Sequence, residues 1–77
     1  MTPDALRSLL MAWVAERCAL PANEIDADRP LVEFGLSSVE AVELAGRLDE
    51  ALGRRLGPTL VWEYPTINAL VAGLTTT

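Results

Sequence analysis

Two consecutive serines, Ser37 and Ser38, sit in the segment Phe34-Gly35-Leu36-Ser37-Ser38-Val39-Glu40. A serine hydroxyl needs a base to act as a nucleophile, and the 77 residues contain no histidine and a single cysteine, Cys18. A serine–histidine or cysteine–histidine relay is therefore excluded within the chain, as is a cluster of soft ligands for structural zinc. Local chemistry remains. Ser37-Ser38-Val39-Glu40 fits a capping box, in which Ser37 accepts from the amide three residues on and Glu40 reaches back to the cap's own N–H. Ser38 is then the first residue of a helix, with its hydroxyl outward and close to amides that have no partner inside the helix. A phosphate esterified there gains roughly 0.3–1 kcal/mol from the field of the helix N-terminus. The position suits a serine that carries a phosphodiester, with no base at hand to make it react. Taken alone, the capping box favours the plainer reading, in which the two serines only start a helix.

The composition limits what such a site serves. Six arginines and no lysine stand against eleven acids, for a net charge of −5 and a pI near 4.4, with no basic stripe. Phosphate backbones and anionic headgroups are repelled, so nucleic acid and membrane surfaces are poor partners. Half the chain is apolar (51%), the composition of a folded globule. Residues 1–77 make one domain, too short for a second core and without a disulfide, so helix packing must stabilise it. It is expected to be a monomer. The stretch from Leu9 to Ala15 is apolar, but Asp4 precedes it and Glu16 and Arg17 end it; it reads as a helix of a cytoplasmic protein, not as a leader. Arginine without lysine, with abundant alanine and leucine, hints at a bacterial gene.

The elements that must position the serines follow from spacing. Thr2-Pro3-Asp4 opens a helix, and Leu6, Leu9, Leu10, Trp13 and Val14 make one face of it from about Asp4 to Cys18, before Leu20-Pro21 stops it. From Ala19 to Leu36 no period is sustained. This long loop is expected to pack across the bundle through Ile25, Leu31, Val32, Phe34 and Leu36. A second helix starts at the Ser37 cap, buries Ala41, Leu44, Ala45, Leu48, Ala51 and Leu52, and ends at Gly53, with Arg54 and Arg55 placed to meet its last carbonyls. Gly57-Pro58 breaks the chain, and Thr59 to Glu63 has room for one turn. Pro65 opens a last helix carrying Ile67, Leu70, Val71 and Leu74, which Gly73 and Thr75-Thr76-Thr77 let fray. The fold class is all-α: a four-helix bundle with a long loop between the first two helices and a short third helix.

Together with Phe34 to Leu44, the segment Leu60-Val61-Trp62-Glu63-Tyr64-Pro65-Thr66-Ile67 closely resembles the acyl carrier protein family, in particular the carrier domains of modular polyketide synthases. The resemblance covers essentially the whole chain. It implies that Ser38, matching the serine of a Gly-Leu-Asp-Ser-Leu-like motif, bears 4′-phosphopantetheine, with Gly35, Leu36, Ser37 and Glu40 forming the motif and cap around it. It implies a non-catalytic role, tethering acyl intermediates as thioesters for polyketide or related fatty-acyl biosynthesis. The implied partners are a phosphopantetheinyl transferase, a ketosynthase and an acyltransferase or acyl ligase. Two departures stand out: Ser37 replaces the usual aspartate and Val39 the usual leucine. Ser37 thereby becomes a rival attachment site by sequence, and Ser38 is preferred because the Ser37 oxygen is occupied as a cap. A peptidyl carrier is a less good match, since the Gly-Gly-His/Asp-Ser motif is missing; an interaction module with Ser38 unmodified is the other alternative.

Val39, Glu43, Gly46, Arg47 and Glu50 fall on the side of the second helix opposite its apolar face. An exposed charged face is usually a solubility device, but beside the attachment serine, Val39, Glu43, Arg47 and Glu50 form a candidate docking surface, an acidic rim around an apolar centre that a basic partner would read. Cys18 and Trp13 read as core, and Trp62 as the packing anchor of the third helix.

Overall fold

The computed structural model describes residues 2–57 and 59–75. Thr2 caps the first helix, its hydroxyl accepting from the Ala5 N–H at 3.1 Å, and Pro3, whose missing N–H costs nothing there, is the first helical residue. Helix α1 therefore spans Pro3–Cys18, one residue longer than expected, and buries Leu6, Leu10, Trp13 and Val14. Its end comes before Leu20-Pro21: Ala19 turns left-handed (φ 54°), and the Leu20 N–H donates to the Ala15 carbonyl at 3.0 Å.

The connection that follows contains two short 3₁₀ helices, Ala22–Glu24 and Leu31–Phe34, where the sequence predicts only loop. Ile25 and Leu31 are buried and Phe34 and Leu36 half-buried, as anchors should be. Val32 is not an anchor: it is 53% exposed, because a 3₁₀ turn faces Leu31 and Phe34 inward at i and i+3 and leaves Val32 outside. The connection is fastened at its middle by the start of the last helix. The Leu31 N–H donates to the Pro65 carbonyl (2.8 Å), the Asn68 N–H to the Ala27 carbonyl (3.0 Å), and the Asn68 side-chain amide to Asp28 Oδ1 (2.7 Å). Arg7 on α1 donates from Nε to Asn68 Oδ1 at 3.2 Å, so a single asparagine ties three segments together.

Helix α2, Ser38–Leu52, begins at the expected capping box: the Glu40 N–H donates to Ser37 Oγ (3.2 Å) and the Ser37 N–H to Glu40 Oε1 (3.1 Å). Ala41, Leu44, Ala45 and Leu48 are buried, Ala51 and Leu52 half-buried, and Gly53 caps the end with φ 64°. Arg54 meets a last-turn carbonyl of α2 through its backbone, its N–H donating to the Asp49 carbonyl at 3.2 Å, and not through its guanidinium. Its Nη1 donates instead to the Leu74 carbonyl (3.3 Å), while the Asp49 carboxylate of α2 accepts from the Leu56 N–H (2.8 Å) and holds the exit turn. Helix α3 is one turn, Leu60–Glu63, which buries Leu60 and Val61. Trp62 is 62% exposed and anchors nothing, since one turn has a single inward side and the two residues before Trp62 take it. Helix α4 is Ile67–Thr75, and Thr66, not Pro65, opens it: the Thr66 hydroxyl accepts from the Ala69 N–H (3.0 Å) and its carbonyl from the Leu70 N–H (3.0 Å). The expected break at Pro58 and fraying at Thr76 and Thr77 lie outside the described residues.

The architecture is thus all-helical with four helices and, among the described residues, no strand. Helix α1 packs chiefly on α4 and α2 on α3, and the buried leucines, isoleucines, valines, alanines and Trp13 form one continuous core with, among the described residues, no buried charged or polar side chain. The result measures 30 × 25 × 18 Å, with Ser38 on its surface.

Two outcomes follow for stability. Substituting Ser37→Ala should cost about 1 kcal/mol, and Ser37→Asp should hold or raise stability because an acid also caps and favours the helix dipole; thermal melts of the three proteins read this. Two glycines should respond in opposite directions. A Cβ at Gly46 meets nothing within 4 Å, so Gly46→Ala should stabilise by about 0.5–1 kcal/mol, whereas at Gly73 it would overlap the Tyr64 ring, with Cζ only 2.6 Å away, and Gly73→Ala should destabilise by roughly 1–3 kcal/mol. Urea unfolding midpoints separate the two.

Candidate functional site

The start of α2 is built by a sharp change of direction. Gly35 adopts φ 80° at the end of the second 3₁₀ helix, a left-handed conformation that a residue with a side chain enters only with strain, and Leu36 turns in, half-buried. Ser37 follows in extended conformation as the cap, and Ser38 is the first helical residue. The two hydroxyls differ in what they touch. Ser37 Oγ is held by the Glu40 amide, while the Ser38 side chain is exposed and makes no hydrogen bond among the described residues. The amides of Ser38 and Val39 lie at the positive end of the helix, with no carbonyl a turn earlier within the helix to accept from them. An ester oxygen at Ser38 is thus free to leave the surface, with partial positive charge behind it.

A small apolar cleft opens beside it, far below the size of a small-molecule site. Leu31, Ala41 and Val61 are buried within it, Leu36 is half-buried, and the exposed Val32 and Trp62 form its rim, with Ser37 and Ser38 at the mouth. Sequence reasoning missed Val32, Val61 and Trp62 as parts of this site. The available signal was two large apolar residues for which a four-residue turn offers no inward position, and it is legible only once the turns are known to be that short.

Cys18, at the end of α1, is half-buried and donates its thiol to the Phe34 carbonyl at 3.5 Å. Burial, and secondly the Glu40 carboxylate, push the thiol above its ordinary value of 9.0, so it stays protonated at neutral pH and is a poor nucleophile.

The outward face of α2 is less acidic than the sequence suggests. Val39 is 68% exposed, and Arg47 and Glu50 are exposed without a partner among the described residues. Glu43 is engaged: its Oε2 lies 2.7 Å from Nη2 of Arg17, whose guanidinium also covers the Trp13 ring at 5.1 Å. Glu40 is engaged in the capping box and Asp49 in the exit turn, so Glu50 is the free carboxylate of the four on this helix. No group of His, Cys, Asp and Glu able to hold a metal occurs among the described residues, and no helix there is long and apolar enough to cross a membrane.

Comparison with known proteins gives the family of the chain. The family model described as the phosphopantetheine attachment site matches residues 8–74. A phenolphthiocerol/phthiocerol polyketide synthase polypeptide of Mycobacterium tuberculosis is 44% identical over 69 residues, which are 90% of this chain and 4% of that protein, so the chain spans a small part of the curated relative. Among solved structures, the fold is similar to Asl1650, an acyl carrier protein from Anabaena sp. PCC 7120 with a variant phosphopantetheinylation-site sequence (TM-score 0.87, 31% identity, 96% of this chain and 84% of that one). It is also similar to a free-standing peptidyl carrier protein from Acinetobacter baumannii (TM-score 0.85, 33% identity, 95% and 91%). The all-helical fold is common ground between the structure and these likenesses, and the chain belongs to the phosphopantetheine attachment family, the non-catalytic carrier domains that bear covalent 4′-phosphopantetheine and hold acyl intermediates.

Proposed function

We propose that Ser38 is the attachment residue and that the domain serves a polyketide synthase. The observation that carries this is the contrast between the two hydroxyls: Ser37 Oγ is spent on the Glu40 amide, and Ser38 Oγ is exposed with no hydrogen bond of its own among the described residues. The donor set fits the group, since an unencumbered alcohol at a helix N-terminus favours a phosphodiester. When bound, 4′-phosphopantetheine supplies a thiol on a flexible tether, to which an acyl group is joined as a thioester. The chain's own part is to hold the anchor. The Ser37–Glu40 box fixes where α2 begins, Gly35 and Leu36 aim the loop into it, and Leu31, Ala41 and Val61 offer an apolar recess beside the anchor. No acceptor among the described residues touches the Ser38 hydroxyl, so the base that activates it belongs to the phosphopantetheinyl transferase. Anchoring at one point confines the acyl group near each partner and raises its effective concentration there without new contacts.

A ketosynthase and an acyltransferase or acyl ligase are the partners this role requires, and the identity with polyketide synthase segments supports them. Val39, with Glu43, Arg47 and Glu50 around it, is the surface they meet first, because it adjoins Ser38 and is apolar at its centre. Glu43 acts there as half of an ion pair with Arg17, so reversing it disturbs α1 as well as docking. The arginine-rich, lysine-free composition supports a bacterial setting, and a cytoplasmic location is part of the same proposal.

Incubated with coenzyme A and a broad-specificity transferase, the protein should gain the mass of one phosphopantetheine, and Ser38→Ala should abolish the gain with the melting temperature unchanged. Intact-mass spectrometry decides this, and a gain that survives in Ser38→Ala but disappears in Ser37→Ala overturns it. For docking, Val39→Asp should slow acyl transfer to a ketosynthase with little dependence on salt, because it places a charge where an apolar contact forms. Glu50→Arg should act more weakly and lose its effect as ionic strength rises and screening shortens to below about 8 Å. Transfer rates at two salt concentrations check both.

A further inference from the structure

Exposure does not distinguish the two adjacent serines. Ser37 and Ser38 are both exposed, and both stand at the mouth of the same cleft. Their bonding does distinguish them. Ser37 is engaged at each of its polar atoms: its N–H donates to Glu40 Oε1 (3.1 Å), its Oγ accepts from the Glu40 N–H (3.2 Å), and its carbonyl accepts from the Ala41 N–H (3.0 Å). Two of those three bonds run to Glu40, which is half-buried where Ser37, Ser38 and Val39 are exposed. Ser38 Oγ makes no hydrogen bond among the described residues.

The chemistry of attachment makes that difference count. In transfer from coenzyme A the serine oxygen gives its proton to the transferase's base and joins the β-phosphorus, and adenosine 3′,5′-bisphosphate leaves. Ser38 Oγ enters this exchange with no hydrogen bond to give up. Ser37 Oγ enters it holding the Glu40 amide, and the ester it would form is a weaker acceptor for that amide. The Glu40 carboxylate opposes the exchange from the other side, because it fixes the Ser37 N–H and with it the extended backbone (φ −78°, ψ 168°) of a cap.

We propose that Glu40 is a positioning residue for the modification: by returning its carboxylate to the Ser37 N–H it keeps the Ser37 hydroxyl on the helix amide, so that of two exposed serines only Ser38 is offered to the transferase. The proposal rests on the reading that Ser38 bears the phosphopantetheine, and adds the residue that excludes its neighbour. Reach, not charge, is what this role needs. Glutamine has the length of glutamate and a carbonyl oxygen that accepts from the Ser37 N–H; aspartate keeps the charge and is one methylene too short. Aspartate also keeps an acid at the positive end of α2, so the helix start remains electrostatically favoured in that variant.

The test locates the modified serine by tandem mass spectrometry after timed incubation with coenzyme A and a broad-specificity transferase. Wild-type protein and Glu40→Gln should both carry the group on Ser38. In Glu40→Ala and Glu40→Asp the ratio of Ser37 to Ser38 modification should rise at least about fivefold, the change in population that one capping contact is worth. Ser38→Ala alone should gain no mass, whereas Ser38→Ala combined with Glu40→Ala should gain one phosphopantetheine on Ser37. Gly73→Ala, destabilised at the Tyr64 contact, should leave the ratio unchanged, which separates choice of serine from loss of stability. Modification confined to Ser38 in Glu40→Ala and Glu40→Asp, a rise in Glu40→Gln equal to that in Glu40→Ala, or a rise in Gly73→Ala overturns the proposal. The two readings fail differently: modification of Ser37 in the wild-type protein sinks the Ser38 assignment itself, and modification of Ser38 alone in every variant that retains it sinks only the role of Glu40.

Discussion

The start of α2 rests on one reciprocal interaction, the capping box between Ser37 and Glu40, which gives the two neighbouring serine hydroxyls different surroundings. Ser37 Oγ takes the Glu40 amide, Glu40 returns its carboxylate to the Ser37 N–H, and both groups are thereby committed. The reciprocal pair fixes the helix start to one residue, which leaves Ser38 at the first helical position with its side chain outward. The box therefore decides which serine hydroxyl stands unengaged at the helix start, as well as adding about 1 kcal/mol. Serine in place of the family's usual aspartate keeps the geometry and removes a charge.

The capped helix is of use only if its approach is held, and the approach is a connection of nearly twenty residues. A free loop of that length would leave the cleft beside Ser38 without its Leu31 and Leu36 wall. Instead the entry to α4 grips it: the Pro65 carbonyl accepts from Leu31, the Asn68 N–H donates to Ala27, and the Asn68 side chain meets Asp28 on one side and Arg7 on the other. Each bond contributes modestly, on the order of 1 kcal/mol. Their effect is to make the connection part of the scaffold, with the 3₁₀ turn at Leu31–Phe34 presenting Leu31 to the core and Val32 to the mouth of the cleft.

Surface charge is similarly committed before any partner arrives. Arg17 is shared between Glu43 and the Trp13 ring, Arg54 spans from the end of α2 to the end of α4, and Asp49 closes the exit turn. At 39% and 44% exposure the Arg17–Glu43 pair contributes little to stability. It does alter what a partner meets: an acid that counts toward the net charge is answered across the α1–α2 junction, and the polarity of the remaining surface belongs to Arg47, Glu50 and Arg55.

The amino-acid sequence by itself determined the features that depend on neighbours within about one helical turn. The faces of α1, α2 and α4 were legible from leucine spacing, the start of α2 from Ser-x-x-Glu, its end from Gly53, and the position of Ser38 from the box, because each rests on contacts between residues three or four apart. Even there, Thr66 and not Pro65 opens the last helix, its hydroxyl accepting from the Ala69 amide as a proline side chain cannot, while the Pro65 carbonyl accepts from Leu31. Tertiary structure decided everything that joins distant segments: that Leu31 reaches Pro65, that the Arg54 guanidinium serves α4 and not α2, that Glu43 belongs to Arg17, and that Trp62 faces water at the rim of a cleft. Those outcomes depend on how the helices approach one another in three dimensions, and no periodicity along the chain encodes which charge on one helix will stand beside which on the next.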